Sequence, residues 1–212
     1  MDSAAREELA RRSLAFSGAD QTEVLVSSNR SALSRFTHNA IHQNVADADA
    51  SISVRAIVGG RTGVARTNLQ DEASLQACVK RAIDLAKLAP VDPDQRDLPS
   101  GGSPEAPKGA FETSTAQATP ETRAGMCEKI FEVADAAELW SAGYATTAVH
   151  GITIANSRGA LSSFDGTVAG INVKMNGRDS TGFAEAYDNA AQALDARAIA
   201  AVSAQKTRDS AN

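Results

Sequence analysis

The sequence predicts an α+β fold in which antiparallel sheets are flanked by helices, and three observations support this prediction. Residues 50–58 alternate between apolar and polar side chains, which is the pattern of a half-buried strand. Gly59 and Gly60 follow at once, and two residues that readily adopt positive φ suit a tight hairpin turn. The next segment, residues 71–88, carries an apolar stripe with helical spacing. A hairpin followed by a helix is typical of the α+β class.

A first unit, residues 1–89, is predicted to contain a helix, four strands and a closing helix. The predicted elements are a helix over residues 3–16, strands over 22–28, 31–37, 50–58 and 61–67, and a helix over 71–88. Residues 38–49 are predicted to be a polar connector between the second and third strands.

The stretch over residues 90–119 is predicted to be a linker or long surface loop. All six prolines lie between Pro90 and Pro120, and three glycines lie among them. Such a stretch lacks backbone donors and cannot continue a helix or a central strand. Thr119 and Pro120 then fit a helix N-cap followed by proline at the first helical position.

A second unit, residues 120–212, repeats the order of the first and indicates an internal duplication of a helix–four-strand–helix unit. Residues 29–36 align with 157–164, and after a gap of nine residues 62–65 align with 181–184. The predicted elements are a helix over 120–137, an additional strand over 140–147, strands over 150–156, 160–164, 168–176 and 181–187, and a helix over 190–206.

Composition and charge exclude several classes of function. The formal net charge is −5 and the basic residues are scattered, which disfavours a nucleic-acid-binding surface. No apolar run is long enough to span a membrane, and the charged N-terminus does not resemble a signal peptide. Cys78 and Cys127 are predicted to be buried thiols in a reducing cytoplasm, in preference to a disulfide or a metal pair. We therefore expect a soluble cytoplasmic protein without nucleic-acid or membrane partners.

Four segments of the sequence resemble the TldD/PmbA family, a zinc-protease-like family also described as modulators of DNA gyrase. They are Gly18-Ala19-Asp20 leading into a strand, residues 53–65 leading into a helix, residues 154–159 and residues 182–185. In their order and spacing, these segments cover nearly the whole chain outside the linker.

The resemblance implies a cytoplasmic protease in which an active subunit, TldD, pairs with a related subunit, TldE or PmbA. Together the two subunits cleave unfolded or leader peptides inside a closed cavity. Zinc is held in the active subunit by a histidine–glutamate helix motif and a later cysteine, which would lie beyond the end of this chain. The resemblance thus implies that this chain is a truncated piece of a longer parent protein. Residues 120–212 would be the start of the central and C-terminal region of that parent.

The chain itself carries no recognisable catalytic or metal-binding motif, so we predict that it is inactive alone and holds no cofactor. A zinc-protease helix needs paired histidines and an adjacent glutamate, and none of His38, His42 and His150 precedes a glutamate. Serine-nucleophile and phosphate-loop motifs are also missing. Arg55, Arg61 and Arg66 are interpreted as a solvated sheet face, with an anion or peptide-carboxylate site as the alternative.

Two readings remain for the segment between the second and third strands. His38 and His42 have the i, i+4 spacing of a metal pair on a helix, but the default reading is that of polar connector residues. The alternative is that Asn39, His42 and Gln43 line a peptide-binding cavity, because an insertion in one of two repeats is a plausible place for function.

Two hypotheses for the parent protein follow. In the first, the chain is the non-catalytic scaffold of a TldD/PmbA-type subunit of a zinc-dependent protease, whose hairpin edges receive an extended peptide. In the second, it belongs to the metal-free partner subunit, which serves assembly and substrate binding. A regulator that contacts DNA or gyrase directly fits the charge least well.

Overall fold

The computed structural model describes residues 1–102 and 108–211, so residues 103–107 of the predicted linker and residue 212 lie outside the described residues. The helices are α1 (Ser3–Ala15), α2 (Glu72–Leu88), α3 (Thr113–Ala116), α4 (Pro120–Ala136) and α5 (Ala196–Asp209), with a short 3-10 helix at Ala191–Ala193. The strands are β1 (Gln21–Thr37), β2 (Ala40–Val58), β3 (Arg61–Thr67), β4 (Trp140–Asn156), β5 (Leu161–Asn176) and β6 (Thr181–Asp188). They form a six-stranded antiparallel sheet in the order β3-β2-β1-β4-β5-β6, which confirms the predicted α+β class with flanking helices.

The strands are longer than the sequence pattern predicts. β1, β2, β4 and β5 contain 17, 19, 17 and 16 residues, and three of them join two segments that the pattern predicts as separate strands. The predicted connector over residues 38–49 is wrong. His38 and Asn39 form a two-residue turn with φ of 49° and 56°, and the chain then extends as β2 from Ala40. The alternation signal fails there because residues 42–49 are exposed on both faces of the strand.

Local chemistry at the helix starts agrees with the sequence. Thr119 caps α4 through a reciprocal capping box with Thr122, and Pro120 occupies the first turn, as predicted. Asp71 caps α2 by accepting the backbone amide of Ser74. The last helix begins later than predicted, because Asp195 caps α5 and the preceding residues form the 3-10 helix.

The described residues form two compact units, each made of discontinuous segments. Unit 1 comprises residues 1–29, 49–102 and 150–165, and unit 2 comprises residues 30–48, 108–149 and 166–211. The core of unit 1 is formed by α1, α2 and the strands beside them, with Val24, Ile52, Val54, Leu75 and Val79 as its large buried side chains. The core of unit 2 joins α4 and α5 to its own strand segments through Phe36, Ile130, Ile171, Val173 and Met175. The division into predicted units over residues 1–89 and 120–212 stays a prediction. The internal duplication, which rests on the order of similar segments along the sequence, also stays a prediction.

Two glycines allow a helix to lie directly on an edge strand. In unit 1, a Cβ on Gly63 of β3 would lie 2.2 Å from the carbonyl oxygen of Ala82 in α2. In unit 2, a Cβ on Gly182 of β6 would lie 2.1 Å from the carbonyl oxygen of Ser203 in α5. The two glycines are aligned positions in the predicted repeat, and each one requires the absence of a side chain for the same reason.

Unit 1 contains a fully buried cation that the sequence analysis did not identify. Arg6 of α1 is 0% exposed, and its guanidinium lies 2.7 Å from the carboxylate of Asp165. It also donates to the hydroxyls of Thr153 and Ser28. Gly151 leaves the space for this guanidinium, since a Cβ there would lie 2.1 Å from it. The ion pair and the hydrogen bonds compensate the loss of water around the buried charge.

Candidate functional site

The first half of β2 has a hydrogen-bonding edge that no described strand covers. β3 is the neighbour on that side, and it pairs with β2 only from Ile52 to Val58. The preceding residues of β2, 42–49, are all exposed. We call residues 42–49 the β2 edge. Backbone N–H and C=O groups that alternate along such an edge are able to pair with an added extended chain.

The side chains of the β2 edge are mostly polar or small. Val45, the large apolar side chain among them, is 39% exposed, and Asp47 and Asp49 add two carboxylates. Charged side chains also discourage an edge strand from pairing with another copy of itself, so the carboxylates are consistent with a purely protective role. The edge contains no proline, so every residue keeps its backbone donor.

Asn39, the first of the predicted peptide-binding residues, lies in the turn that precedes the β2 edge. Its Oδ1 accepts hydrogen bonds from the backbone amide and the hydroxyl of Ser141, at 2.7 and 2.8 Å. Its Nδ2 donates to the carboxylate of Asp135 at 2.6 Å and to the carbonyl of Leu139 at 3.1 Å. The side chain therefore anchors the β1–β2 turn to the end of α4 and the start of β4.

His42 and Gln43, the other two predicted residues, lie on the β2 edge itself and are both exposed. Gln43 accepts a long hydrogen bond of 3.4 Å from the guanidinium of Arg35 on β1. The structure thus brings these two side chains to the free strand and places Asn39 at its base. A contact of any of the three with a peptide stays a prediction.

The histidines do not assemble a metal site. His38 stacks on the indole of Trp140 with ring centroids 4.6 Å apart and an angle of 3° between the planes. His150 meets the ring of Phe164 at 6.0 Å. Across residues 1–102 and 108–211, no three His, Cys, Asp or Glu side chains are grouped in a way that could hold a metal ion.

Both cysteines are free and buried, as the sequence predicts. Burial raises the pKa of the Cys78 thiol, and it raises that of Cys127 to about 12. A thiol that stays protonated at neutral pH is a poor nucleophile and a poor metal ligand. The two cysteines are therefore packing residues of α2 and α4.

The arginines of β2 and β3 are spread along the two strands. Arg55 forms an ion pair with Glu23 at 3.1 Å and is 40% exposed. Arg61 donates to the carbonyl of Lys87 at 3.4 Å, close to the end of α2. These contacts are those of a partly solvated sheet face, and no anion site follows from them.

None of the helices among the described residues is both long enough and apolar enough to cross a lipid bilayer.

One family model matches part of the chain, in a range that includes residues of both units. Residues 22–86 match the family model described as PmbA/TldA metallopeptidase domain 1. No curated protein sequence matches the chain.

The fold of the chain is similar to that of several solved structures. TldE from Thermococcus kodakarensis matches with a TM-score of 0.75 and 19% identity over 96% of this chain and 47% of that protein. A proposed modulator of DNA gyrase from Thermotoga maritima matches with a TM-score of 0.76 and 15% identity over 95% of this chain and 47% of that protein. A second proposed modulator of DNA gyrase, from Bacteroides thetaiotaomicron, matches with a TM-score of 0.82 and 15% identity over 98% of this chain and 50% of that protein. At these identities the similarity shows the fold, and the chain spans about half the length of each matched structure.

Proposed function

We propose, from the match of residues 22–86 to the PmbA/TldD family model, that the chain is the non-catalytic scaffold of a TldD/PmbA-type subunit. The complete protein would be a zinc-dependent cytoplasmic protease that acts on unfolded or leader peptides, and this chain would supply a strand edge that binds them. The observation that carries the proposal is the β2 edge, which is exposed over residues 42–49.

Recognition through a strand edge suits a substrate without a fixed sequence. Main-chain hydrogen bonds supply affinity that does not depend on side-chain identity, and an unfolded peptide offers them along its whole length. His42 and Gln43 stand on the edge and would contact the side chains of the added strand. Asn39 would hold the turn from which that strand edge starts, through its bonds to Ser141 and Asp135.

Zinc has no place in the described residues, so we assign it to the remaining length of the complete protein or to a related partner subunit. Family membership supports such a partner, with which this protein would form a heterodimer or a homodimer. The free, buried thiols of Cys78 and Cys127 suit a reducing cytoplasm.

The alternative is that the complete protein is the metal-free partner subunit, which serves assembly and substrate binding. The fold similarity to TldE from Thermococcus kodakarensis supports this alternative. The two hypotheses share the β2 edge and differ only in where the metal lies.

The peptide-edge proposal is tested on the complete protein with an extended, unstructured peptide and the same peptide N-methylated at alternate residues. We expect the unmethylated peptide to bind and to protect from hydrogen exchange those amides of residues 42–49 that face away from β1, because these groups become paired. The methylated peptide should bind at least roughly tenfold more weakly, because it lacks half of its donors. Equal binding of the two peptides, or protection confined to β6, would contradict the proposal.

The side chains are tested separately with His42→Ala and Gln43→Ala. We expect each variant to weaken binding of the unmethylated peptide while thermal stability stays the same, since both side chains are exposed. Lys80→Ala is a matched control, because Lys80 is an exposed residue on α2 that pairs only with Asp84. If the His42 and Gln43 variants behave like the control, these side chains do not contact the peptide.

Zinc content and peptidase activity of the complete protein, measured with and without the related subunit, distinguish the two hypotheses. Zinc in the complete protein together with cleavage supports the catalytic subunit. Zinc only in the partner supports the metal-free subunit. Zinc bound stoichiometrically by the present chain alone would contradict both.

A further inference from the structure

Unit 2 contains a basic cavity that the proposed function does not use. Its volume is about 320 Å³, and it lies where α3 and the start of α4 meet strand segments of the same unit. Its lining includes Arg30, Ala32, Thr115, Ala116, Arg123 and Thr147. We call it the Arg123 cavity.

Arg123 is buried without an ion-pair partner among the described residues. Its side chain is 3% exposed, and one of its terminal nitrogens donates to the hydroxyl of Thr147 at 3.1 Å. Its Nε is buried and has no hydrogen-bond partner among the described residues. No described carboxylate forms an ion pair with it, and Glu121, the nearest acidic residue in sequence, is exposed and does not line the cavity. Burial lowers the pKa of this guanidinium, which reflects the cost of the missing water.

Arg6 shows how the same protein satisfies the guanidinium of a buried arginine. Arg6 is equally buried, but it is satisfied by the carboxylate of Asp165 and by several hydroxyl and carbonyl oxygens. A buried cation that lacks such a partner is destabilising, and an anion bound in the cavity is able to interact with its guanidinium.

The rest of the lining also favours an anion. Arg30 contributes a second guanidinium, of which one nitrogen is bonded to the carbonyl of Ala116 at 2.8 Å. No Asp or Glu lines the cavity, although the chain as a whole carries a formal net charge of −5. Pro120, at the start of α4, also lines it, so the positive end of that helix dipole faces the same space.

The apolar part of the lining selects among anions. Small aliphatic side chains form much of the wall, namely those of Ala32, Ala46, Ala116, Ala118, Ala148 and Val149. Such a wall suits a ligand with a short hydrocarbon body beside its charge, and it gives little to a bare phosphate. The planar fork of an arginine matches the two oxygens of a carboxylate.

We propose that the Arg123 cavity binds a carboxylate carried on a small aliphatic group, with the guanidinium of Arg123 as its principal partner and that of Arg30 at the mouth. The carboxylate comes either from the C-terminus of a peptide or from a free small acid. The cavity shares the small side chain of Ala46 with the β2 edge, but its test measures carboxylate affinity at Arg123 and not amide protection along residues 42–49, so the proposed function and this inference are tested separately.

The test is isothermal titration of the protein with four probes: N-acetyl-alanyl-alanine as the free acid, its C-terminal amide, propionate and inorganic phosphate. The free acid should bind at least roughly tenfold more tightly than the amide, because only the acid pairs with the guanidinium. Tighter binding of the dipeptide acid than of propionate indicates a peptide terminus, and equal binding indicates a free small acid. Equal binding of acid and amide, or tighter binding of phosphate than of either acid, would overturn the proposal.

Variants locate the site. Arg123→Met should lower affinity for the free acid at least roughly tenfold and remove the preference for acid over amide. Arg197→Met is the matched control, since Arg197 lines a different cavity of unit 2 and pairs with Glu132. Thermal unfolding of Arg123→Met should show no loss of stability without ligand, because the substitution removes an unpaired buried charge. The free acid should raise the Tm of the unmodified protein but not of this variant, and an unchanged rise in the variant would place the ligand elsewhere.

Discussion

The side-chain oxygen of Asn39 accepts hydrogen bonds from both the backbone amide and the hydroxyl of Ser141, 102 positions further along the chain. Together with the bonds from its Nδ2 to Asp135 and Leu139, this leaves no donor or acceptor group of the side chain unused. The residue also has a left-handed backbone, with φ of 56°. Asparagine suits this position because it tolerates that conformation better than most residues and carries both a donor and an acceptor.

We predict that Asn39→Ala lowers the free energy of unfolding by about 2–3 kcal/mol, because it leaves the partners of a partly buried amide unsatisfied. Asn39→Asp should be no better, since it replaces the donor with a carboxylate beside that of Asp135. His38→Ala is the control on the neighbouring turn residue, whose ring stacks on Trp140 and shares a hydrogen bond with the hydroxyl of Thr37. Denaturant unfolding measures all three, and an Asn39→Ala variant as stable as the His38 variant would refute the anchoring role.

Gly63→Ala and Gly182→Ala should each destabilise the fold by about 3 kcal/mol or more, because the added methyl would overlap helix backbone that cannot move aside alone. Gly125→Ala is the matched control within α4, where a Cβ meets nothing within 4 Å. That substitution should raise stability by about 0.5–1 kcal/mol, as expected for alanine in place of glycine in a helix. Thermal or denaturant unfolding separates the three variants, and tolerance of alanine at Gly63 would mean that α2 lies further from β3.

Removing the cation of unit 1 should be costly. Arg6→Ala leaves the carboxylate of Asp165 and the hydroxyl of Thr153 without their buried partner, and we expect a loss of about 3–5 kcal/mol. Arg11→Ala, one helical turn and one residue further along α1, removes only an exposed pair with Glu7 and should cost at most about 0.5 kcal/mol. Equal effects of the two substitutions in denaturant unfolding would contradict the role assigned to Arg6.

We predict that the buried thiol of Cys127 lowers the free energy of unfolding at alkaline pH. Its pKa rises from an ordinary value of 9.0 to about 12 in the folded state, because burial disfavours the thiolate. The unfolded chain therefore releases this proton first, and stability that is fully present below pH 9 decreases as the pH rises towards 12. Cys127→Ala should remove that part of the decrease when unfolding is followed between pH 8 and 11, and an unchanged pH profile would show that the thiol does not contribute. Cys127 should also resist alkylation at neutral pH while the protein is folded.

Features that depend on neighbouring residues could be predicted from the sequence. The alternation over residues 50–58, the two-glycine hairpin turn, the Thr119 cap and the apolar stripe of α2 are each encoded within a few positions, and the structure contains all of them. The burial of both cysteines follows from the same helical periodicity. The α+β class followed from these local signals.

Features that depend on distant residues are visible only in the folded chain. Arg6 and Thr153 meet across 147 positions, and nothing around Arg6 in sequence marks it as buried. The merging of short predicted strands into long ones, and the extension of β2 through residues 40–49, depend on pairing with neighbouring strands. The unpaired guanidinium of Arg123 likewise arises from where α3, α4 and the strands of unit 2 enclose it. Backbone periodicity reports which face of an element is apolar, but it carries no information about which charge or which strand lies opposite, and this is decided by packing across the chain.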